Sequence, residues 1–266
     1  MTPDEGGIPR ASPAETGRVI VTGASSGIGQ AIARMFWAEE ALVANLDVAD
    51  GSETAGSCGS GFRSFMCDVA DPEQVASAFE AIDAWFPGPP TVLVNVAAVF
   101  PNVAFLEMSP DVFDRVMAVN VRGPFLCSQE AAQRMREARS GRIVNITSTE
   151  SVLAFAEASA YGASKAALTH LTKGMAVELA SDGITVNAVA PGAVETPPLL
   201  AWLEENPRAG QHDLERTPLG RLGTPDDIAA AVRFLAKDAT WMTGQTIYVD
   251  GGFLITGLPV LPGGSE

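Results

Sequence analysis

Between Arg18 and Val249 the chain alternates short apolar runs with stretches of helical period, and no other feature restricts its fold as much. Strands are predicted at 18–22, 41–46, 62–66, 91–95, 142–147, 184–189 and 245–249. Helices are predicted at 27–40, 72–85, 110–119, 121–138, 159–181 and 225–236. Parallel strands need a crossover between them, and near-continuous apolar strands need cover on both faces. The expected fold class is α/β, a doubly wound, mostly seven-stranded parallel sheet with helices on both faces. With 266 residues at 47% hydrophobic content, one core is affordable and no compositional break calls for a second. The expected single domain runs 18–256, between a flexible tail at 1–17, rich in Pro and Gly, and a C-terminal tail at 257–266.

The first strand runs into Thr22-Gly23-Ala24-Ser25-Ser26-Gly27-Ile28-Gly29, a glycine turn that opens a helix. Gly23 permits a tight exit, Gly27 lets a pyrophosphate approach the backbone, and Gly29 lets the helix sit close on the sheet. The helix start offers unpaired N–H groups and positive partial charge, as in Rossmann-type nucleotide sites. A glycine turn by itself is also an ordinary strand-to-helix junction. Asp47 sharpens it: it ends the next apolar run, where a carboxylate accepts the hydroxyls of an adenosine ribose. Asp68 and Val69 follow the third strand; Asp68 reads as a ligand-facing residue or a helix cap, with Asp71 before Pro72 the better N-cap. The Gly/Ser-rich segment 51–61 is expected to be a loop or at most one turn.

Tyr161 and Lys165, four residues apart in a predicted helix, share one face. A cation beside a phenol favours the phenolate, so the expectation is a tyrosine with lowered pKa that carries a proton. Such pairs also arise as a half-buried ring beside a solvated amine. Ser148, at the end of the strand before this helix, is positioned to face it.

The formal charge of −15 excludes nucleic acid and anionic membrane surfaces as natural partners and leaves small molecules. Cys58, Cys67 and Cys127 lack metal-ligand spacing and fit reduced thiols, so a cytoplasmic protein with no metal site is expected. No apolar run is long enough to be a membrane span.

The insertion at about 193–222 is a candidate substrate lid, in which Leu199, Trp202 and Leu203 either cover a ligand or pack the insertion down. Glu150 is either pocket-facing or solvated, and His212, in a polar stretch, takes no role. Pro124 has no N–H for the carbonyl of Asn120, so a kink or break is expected near Asn120. Phe125, Leu126, Met135, Leu168, Leu171 and Met175 exceed what one buried stripe needs, and a second stripe would serve self-association.

These motifs together resemble the short-chain dehydrogenase/reductase family, from about Arg18 to Gly252. They are the glycine turn, Asp68-Val69, Asn120, Ser148, Tyr161 with Lys165, Asn187-Ala188-Val189-Ala190-Pro191-Gly192 with Thr196, and Asp250-Gly251-Gly252. One segment departs: Asn95-Val96-Ala97-Ala98 stands where the family usually shows Asn-Asn-Ala-Gly. The resemblance implies hydride transfer between NAD and a secondary alcohol or ketone, with Tyr161 as acid/base and Lys165 binding the nicotinamide ribose. It implies that Ser148 holds the substrate oxygen and Asn120 a water leading from Lys165. It places Gly23, Ser25, Ser26, Gly27, Ile28, Gly29, Asp47, Asp68, Val69, Asn95, Val96, Ala97, Pro191, Gly192, Val194 and Thr196 around the cofactor. It also implies a homotetramer or homodimer. The competing readings are a non-catalytic NAD sensor or scaffold, and other family chemistry such as enoyl reduction. The first gives no use to a proton carrier, and enoyl reductases place Tyr and Lys further apart than here.

Overall fold

The computed structural model describes residues 17–206, 211 and 214–256; all but Gly17 of the expected tail at 1–17, the expected tail at 257–266, and His212 lie outside them. Seven strands, β1 (Arg18–Thr22), β2 (Leu42–Asp47), β3 (Phe62–Met66), β4 (Val92–Asn95), β5 (Gly141–Ile146), β6 (Ile184–Pro191) and β7 (Thr246–Val249), form one sheet. Its order is β3-β2-β1-β4-β5-β6-β7, and every pairing is parallel. The helices are α1 (Gly27–Ala38), α2 (Ser52–Cys58), α3 (Pro72–Asp83), α4 (Pro110–Met117), α5 (Gly123–Glu137), α6 (Ser159–Leu179), α7 (Pro197–Glu205) and α8 (Pro225–Lys237).

The strand alternation sorts the core into two layers. Val19 and Val21 of β1, Val92 and Val94 of β4, and Val144 and Ile146 of β5 face one layer with Phe36 of α1 and Val232 of α8. Ile20, Leu93 and Ile143 face the other, with Phe79 of α3, Met135 of α5 and Ala176 of α6. The order reverses between β1 and β4, so the loops after those strands diverge and leave a crevice at the carboxyl edge of the sheet.

Several helices start where a capping residue precedes proline. Asp71 accepts from the N–H groups of Glu73 and Gln74, Ser109 from Val112, and Thr224 forms a capping box with Asp227. Asp71 is thus the cap of α3, leaving Asp68 free for another task.

The structure corrects two expectations. Residues 51–61 are not a loop: α2 spans Ser52–Cys58 and a 3-10 turn follows over Gly59–Gly61. Burial of Thr54, whose hydroxyl donates to the Ala24 carbonyl at 2.9 Å, and of Cys58 outweighs poor intrinsic propensity. Near Asn120 the α-ladder is interrupted, but as a π-helical turn over Ala118–Arg122 that joins α4 to α5, with Pro124 in the first turn of α5. There the Gly123 N–H donates to the Ala118 carbonyl, five residues back. Of the apolar residues weighed for a second stripe, Met135 and Leu168 are buried in the interior, whereas Phe125 stays 42% exposed.

Candidate active site

A cleft of about 930 Å³ runs along the carboxyl edge of the sheet, at the upper end of the size usual for ligand sites. At one end lie Gly23, Ser26, Gly27, Ile28 and Gly29, then Asp47, Asp68, Val69, Val96 and Ala97. At its centre are Ser148, Tyr161, Lys165, Pro191, Gly192, Val194 and Thr196, and beyond them lie Glu150, Phe155, Leu199, Trp202, Arg216 and Phe253.

The glycine turn is held open from behind. Asn45, wholly buried in the middle of β2, accepts from the N–H of Ala24 at 2.8 Å and donates to Ser25 Oγ and Ser64 Oγ. Asp47 accepts from the N–H groups of Ser25 and Ala49, both at 3.1 Å. A methyl group on Gly29 would sit 2.1 Å from the Gly23 carbonyl, and one on Gly23 would sit 3.0 Å from the Ala97 backbone, so neither position tolerates a side chain. Ser26 at the N-cap of α1 makes no side-chain cap, and no acidic residue occupies the first turn. The helix N-terminus therefore presents N–H groups and positive partial charge to the cleft, which fits a pyrophosphate.

Thr22 Oγ1 accepts from Val96 and Ala97, both at 3.0 Å, so the divergent segment after β4 is tied to the glycine turn through its backbone. Asp68 receives Arg115 at 2.7 Å and the Ala70 N–H at 3.0 Å. Partial burial pushes its carboxyl up, but Arg115 and the Ala70 N–H outweigh that and hold it below its ordinary range.

Lys165 is 2% exposed on α6, and its Nζ donates to the Ile146 carbonyl at 2.9 Å while lying 5.5 Å from the Tyr161 ring centroid. Burial lowers its pKa to about 8, against the opposing charge of Glu150. The Tyr161 phenol moves upward, contrary to the expected lowering by Lys165. Burial is the main cause, Glu150 adds to it, and a hydrogen bond with Ser148 offsets only part. Phe100 packs edge-on against this ring, with centroids 6.0 Å apart.

Three expected site residues do not line the cleft. Ser25 backs the glycine turn through its bonds to Asp47 and Asn45. Asn95 turns into the interior and donates to Ser128 and Asn145, and Asn145 continues the chain to Thr172. Asn120 is buried and brackets the loop after β4: it accepts from the Val99 N–H and donates to the Val99 carbonyl and Ser164 Oγ. Asn95 and Asn120 are buried, and their amide N–H groups find partners in the interior, whereas Ser25 is half-buried.

Asn45, Thr22 and Arg115 have site functions that the sequence reading did not assign, and neither did it assign any to Phe100, Phe155, Arg216 or Phe253. Asn45 left a signal, a polar residue in the middle of an apolar strand. Thr22 belongs to the glycine-turn motif, and the others left none, because separate segments bring them in. The 193–222 insertion is closed at its base by a bridge between Val194 and Gly223, and it opens with α7, from which Leu199 and Trp202 reach the cleft. Leu203 is not among the lining residues.

A family model described as enoyl-(acyl carrier protein) reductase matches residues 23–254. The chain is 37% identical over 239 residues to the cis-4-hydroxycyclohexanecarboxylate dehydrogenase of Sinomonas cyclohexanicum, covering 88% of this chain and 95% of the relative. It is 41% identical over 244 residues to the 2-(R)-hydroxypropyl-CoM dehydrogenase of Xanthobacter autotrophicus, covering 88% and 97%. A solved structure described as ElxO with NADP bound superposes with a TM-score of 0.85 at 30% identity, over 91% of this chain and 100% of that one.

Proposed function

The chain belongs to the short-chain dehydrogenase/reductase family, and from that premise we propose that it is an NAD(H)-dependent oxidoreductase interconverting a secondary alcohol and a ketone. The observation that carries this reading is that Ser148, Tyr161 and Lys165 line one cleft with the α1 N-terminus and Asp47. Bound nicotinamide would supply the hydride donor or acceptor. What remains for the chain is to place the substrate and to move one proton.

The glycine turn and α1 N-terminus would hold the pyrophosphate, Asp47 the adenosine ribose and Lys165 the nicotinamide ribose. Thr196, which starts α7 beside Gly27, would meet the carboxamide. Ser148 and Tyr161 would share the substrate oxygen. In reduction Tyr161 gives its proton to that oxygen, and in oxidation it takes the alcohol proton. Lys165 shares its burial, and its ammonium would favour the phenolate beside it, so with the cofactor bound the pair would titrate as one unit.

Asp47 favours NAD because a carboxylate that binds the ribose 2′-hydroxyl repels a 2′-phosphate, and among the described residues no Lys or Arg is a hydrogen-bond partner of it. A homotetramer or homodimer is consistent with Phe113 and Phe125 remaining exposed on α4 and α5. Against enoyl reduction stands the four-residue spacing that puts Tyr161 and Lys165 on one face of α6. The test is the absorbance of reduced nicotinamide during incubation with NAD and a broad panel of secondary alcohols. Turnover that Tyr161→Phe abolishes supports the enzyme; tight NAD binding without turnover on any member supports a sensor instead.

A further inference from the structure

Beyond Tyr161 the cleft is walled by apolar side chains, and at its far end lies Arg216. The Arg216 guanidinium sits over the Phe253 ring, 4.3 Å from its centroid, and Phe253 stacks in turn on Phe155 at 6.2 Å. Three separated segments meet in this stack: the loop between β5 and α6, the end of the insertion, and the segment after β7.

Each is fixed by its own contacts. Asp250 accepts from the N–H groups of Gly252 and Leu254, shaping the turn that presents Phe253, which is 7% exposed. Side chains on Gly251 and Gly252, both at positive φ, would meet Thr217 at 2.6 Å and Pro218 at 2.9 Å, so the strand of chain bearing Arg216 is pressed directly on that turn. The Thr256 hydroxyl donates to the Arg216 carbonyl at 2.9 Å. Arg216 is therefore held from its backbone and from the face of its guanidinium, whereas among the described residues no carboxylate pairs with it. A guanidinium laid flat on a ring keeps its N–H edge available, and that edge matches a carboxylate fork to fork.

The other charged residue on this part of the wall is Glu150, whose field reaches Tyr161 and Lys165. An anionic group is repelled by Glu150 and drawn to Arg216. We propose that Arg216 is a specificity residue that binds an anionic group, a carboxylate or its equivalent, on the substrate end opposite the reacting carbinol. The preferred substrate is then a hydroxy or oxo acid with an apolar spacer lying between Phe155 and Trp202. This rests on the oxidoreductase reading for its substrate, but not for its binding event.

The experiment pairs secondary alcohols carrying a terminal carboxylate, in a series of spacer lengths, with their neutral primary amides. In parallel it measures thermal stabilisation by hexanoate against hexanamide, which cannot react as alcohols. The wild type should favour the best carboxylate over its amide by about 10- to 100-fold in kcat/KM. Arg216→Met, which keeps an apolar stem on Phe253, should erase that preference while leaving the amide and NAD affinity unchanged, and Arg216→Lys should restore part of it. Hexanoate should stabilise the wild type and not Arg216→Met. If no alcohol turns over but hexanoate still discriminates the two proteins, the anion site stands and the oxidoreductase reading falls. Equal use of carboxylate and amide by the wild type, an equal loss of both in Arg216→Met, or no discrimination in either assay overturns the proposal and leaves Arg216 as packing on Phe253.

Discussion

The two ends of the cleft are built from different materials. At the glycine-turn end the binding surface is backbone: N–H groups at the start of α1, set in place by Asn45 and Thr22 and kept bare by glycines that tolerate no side chain. At the Arg216 end it is side chains, stacked across three segments far apart in sequence. A backbone surface binds what every family member shares, whereas a side-chain surface changes by substitution without moving the sheet. Tyr161, Ser148 and Lys165 stand between the two, so substitutions on either side should separate binding from chemistry.

The largest separation is expected at the centre. Tyr161→Phe keeps the ring packed against Phe100 and removes one hydroxyl, so turnover should fall by about a hundredfold or more while NAD affinity holds. Single-turnover rates and NAD titrations on the same preparation check this; near wild-type turnover would remove Tyr161 from the chemistry.

Next in size is cofactor choice. The wild type should prefer NAD to NADP by about a hundredfold, since like charge at a half-buried site costs a few kcal/mol. Asp47→Asn keeps an acceptor for the Ser25 N–H and removes the charge, and should close most of that gap without changing KM for the alcohol. Equal efficiency of the wild type with both cofactors would contradict the role given to Asp47.

Asn45 tests whether the backbone surface depends on its support. Asn45→Ala strips the partner from the buried Ala24 N–H, costing about 2 kcal/mol of stability and weakening NAD binding more than substrate binding. Urea unfolding and NAD titration give the two numbers. A uniform loss in both ligands would mean a general destabilisation rather than a placed turn.

The smallest effect is a pH dependence of stability. Lys165 titrates at about 8 folded and at its ordinary 10.5 unfolded, so between those values the unfolded chain binds more protons and stability rises with pH. The gain should be about 1 kcal/mol from pH 8 to pH 9, and Lys165→Met should lack it. The phenol has the opposite sign: raised in the fold, Tyr161 gives up stability as pH climbs above its ordinary value of 10. Urea midpoints for wild type and Lys165→Met across this range isolate the lysine contribution.

What the sequence determined by itself is whatever depends on neighbours in the chain. Apolar alternation specified seven strands and their two buried faces, Asp71 before Pro72 marked the start of α3, and the glycine spacing located a helix N-terminus at the end of β1. Tyr161 and Lys165 were legible because helical geometry alone puts residues four apart on one face. Tertiary structure decided whatever depends on burial or on distant segments meeting. Residues 52–58 became a helix because Thr54 and Cys58 found a buried partner surface. Asn95 and Asn120 turned into interior networks because buried amide donors pair where they lie, although Asn95 Oδ1 finds no partner among the described residues. The phenol moved up rather than down because desolvation, which no local pattern encodes, and the Glu150 charge outweigh its hydrogen bond with Ser148. The Arg216 stack exists only because residues 155, 216 and 253 converge at one end of the cleft, a contact set by topology and invisible to spacing.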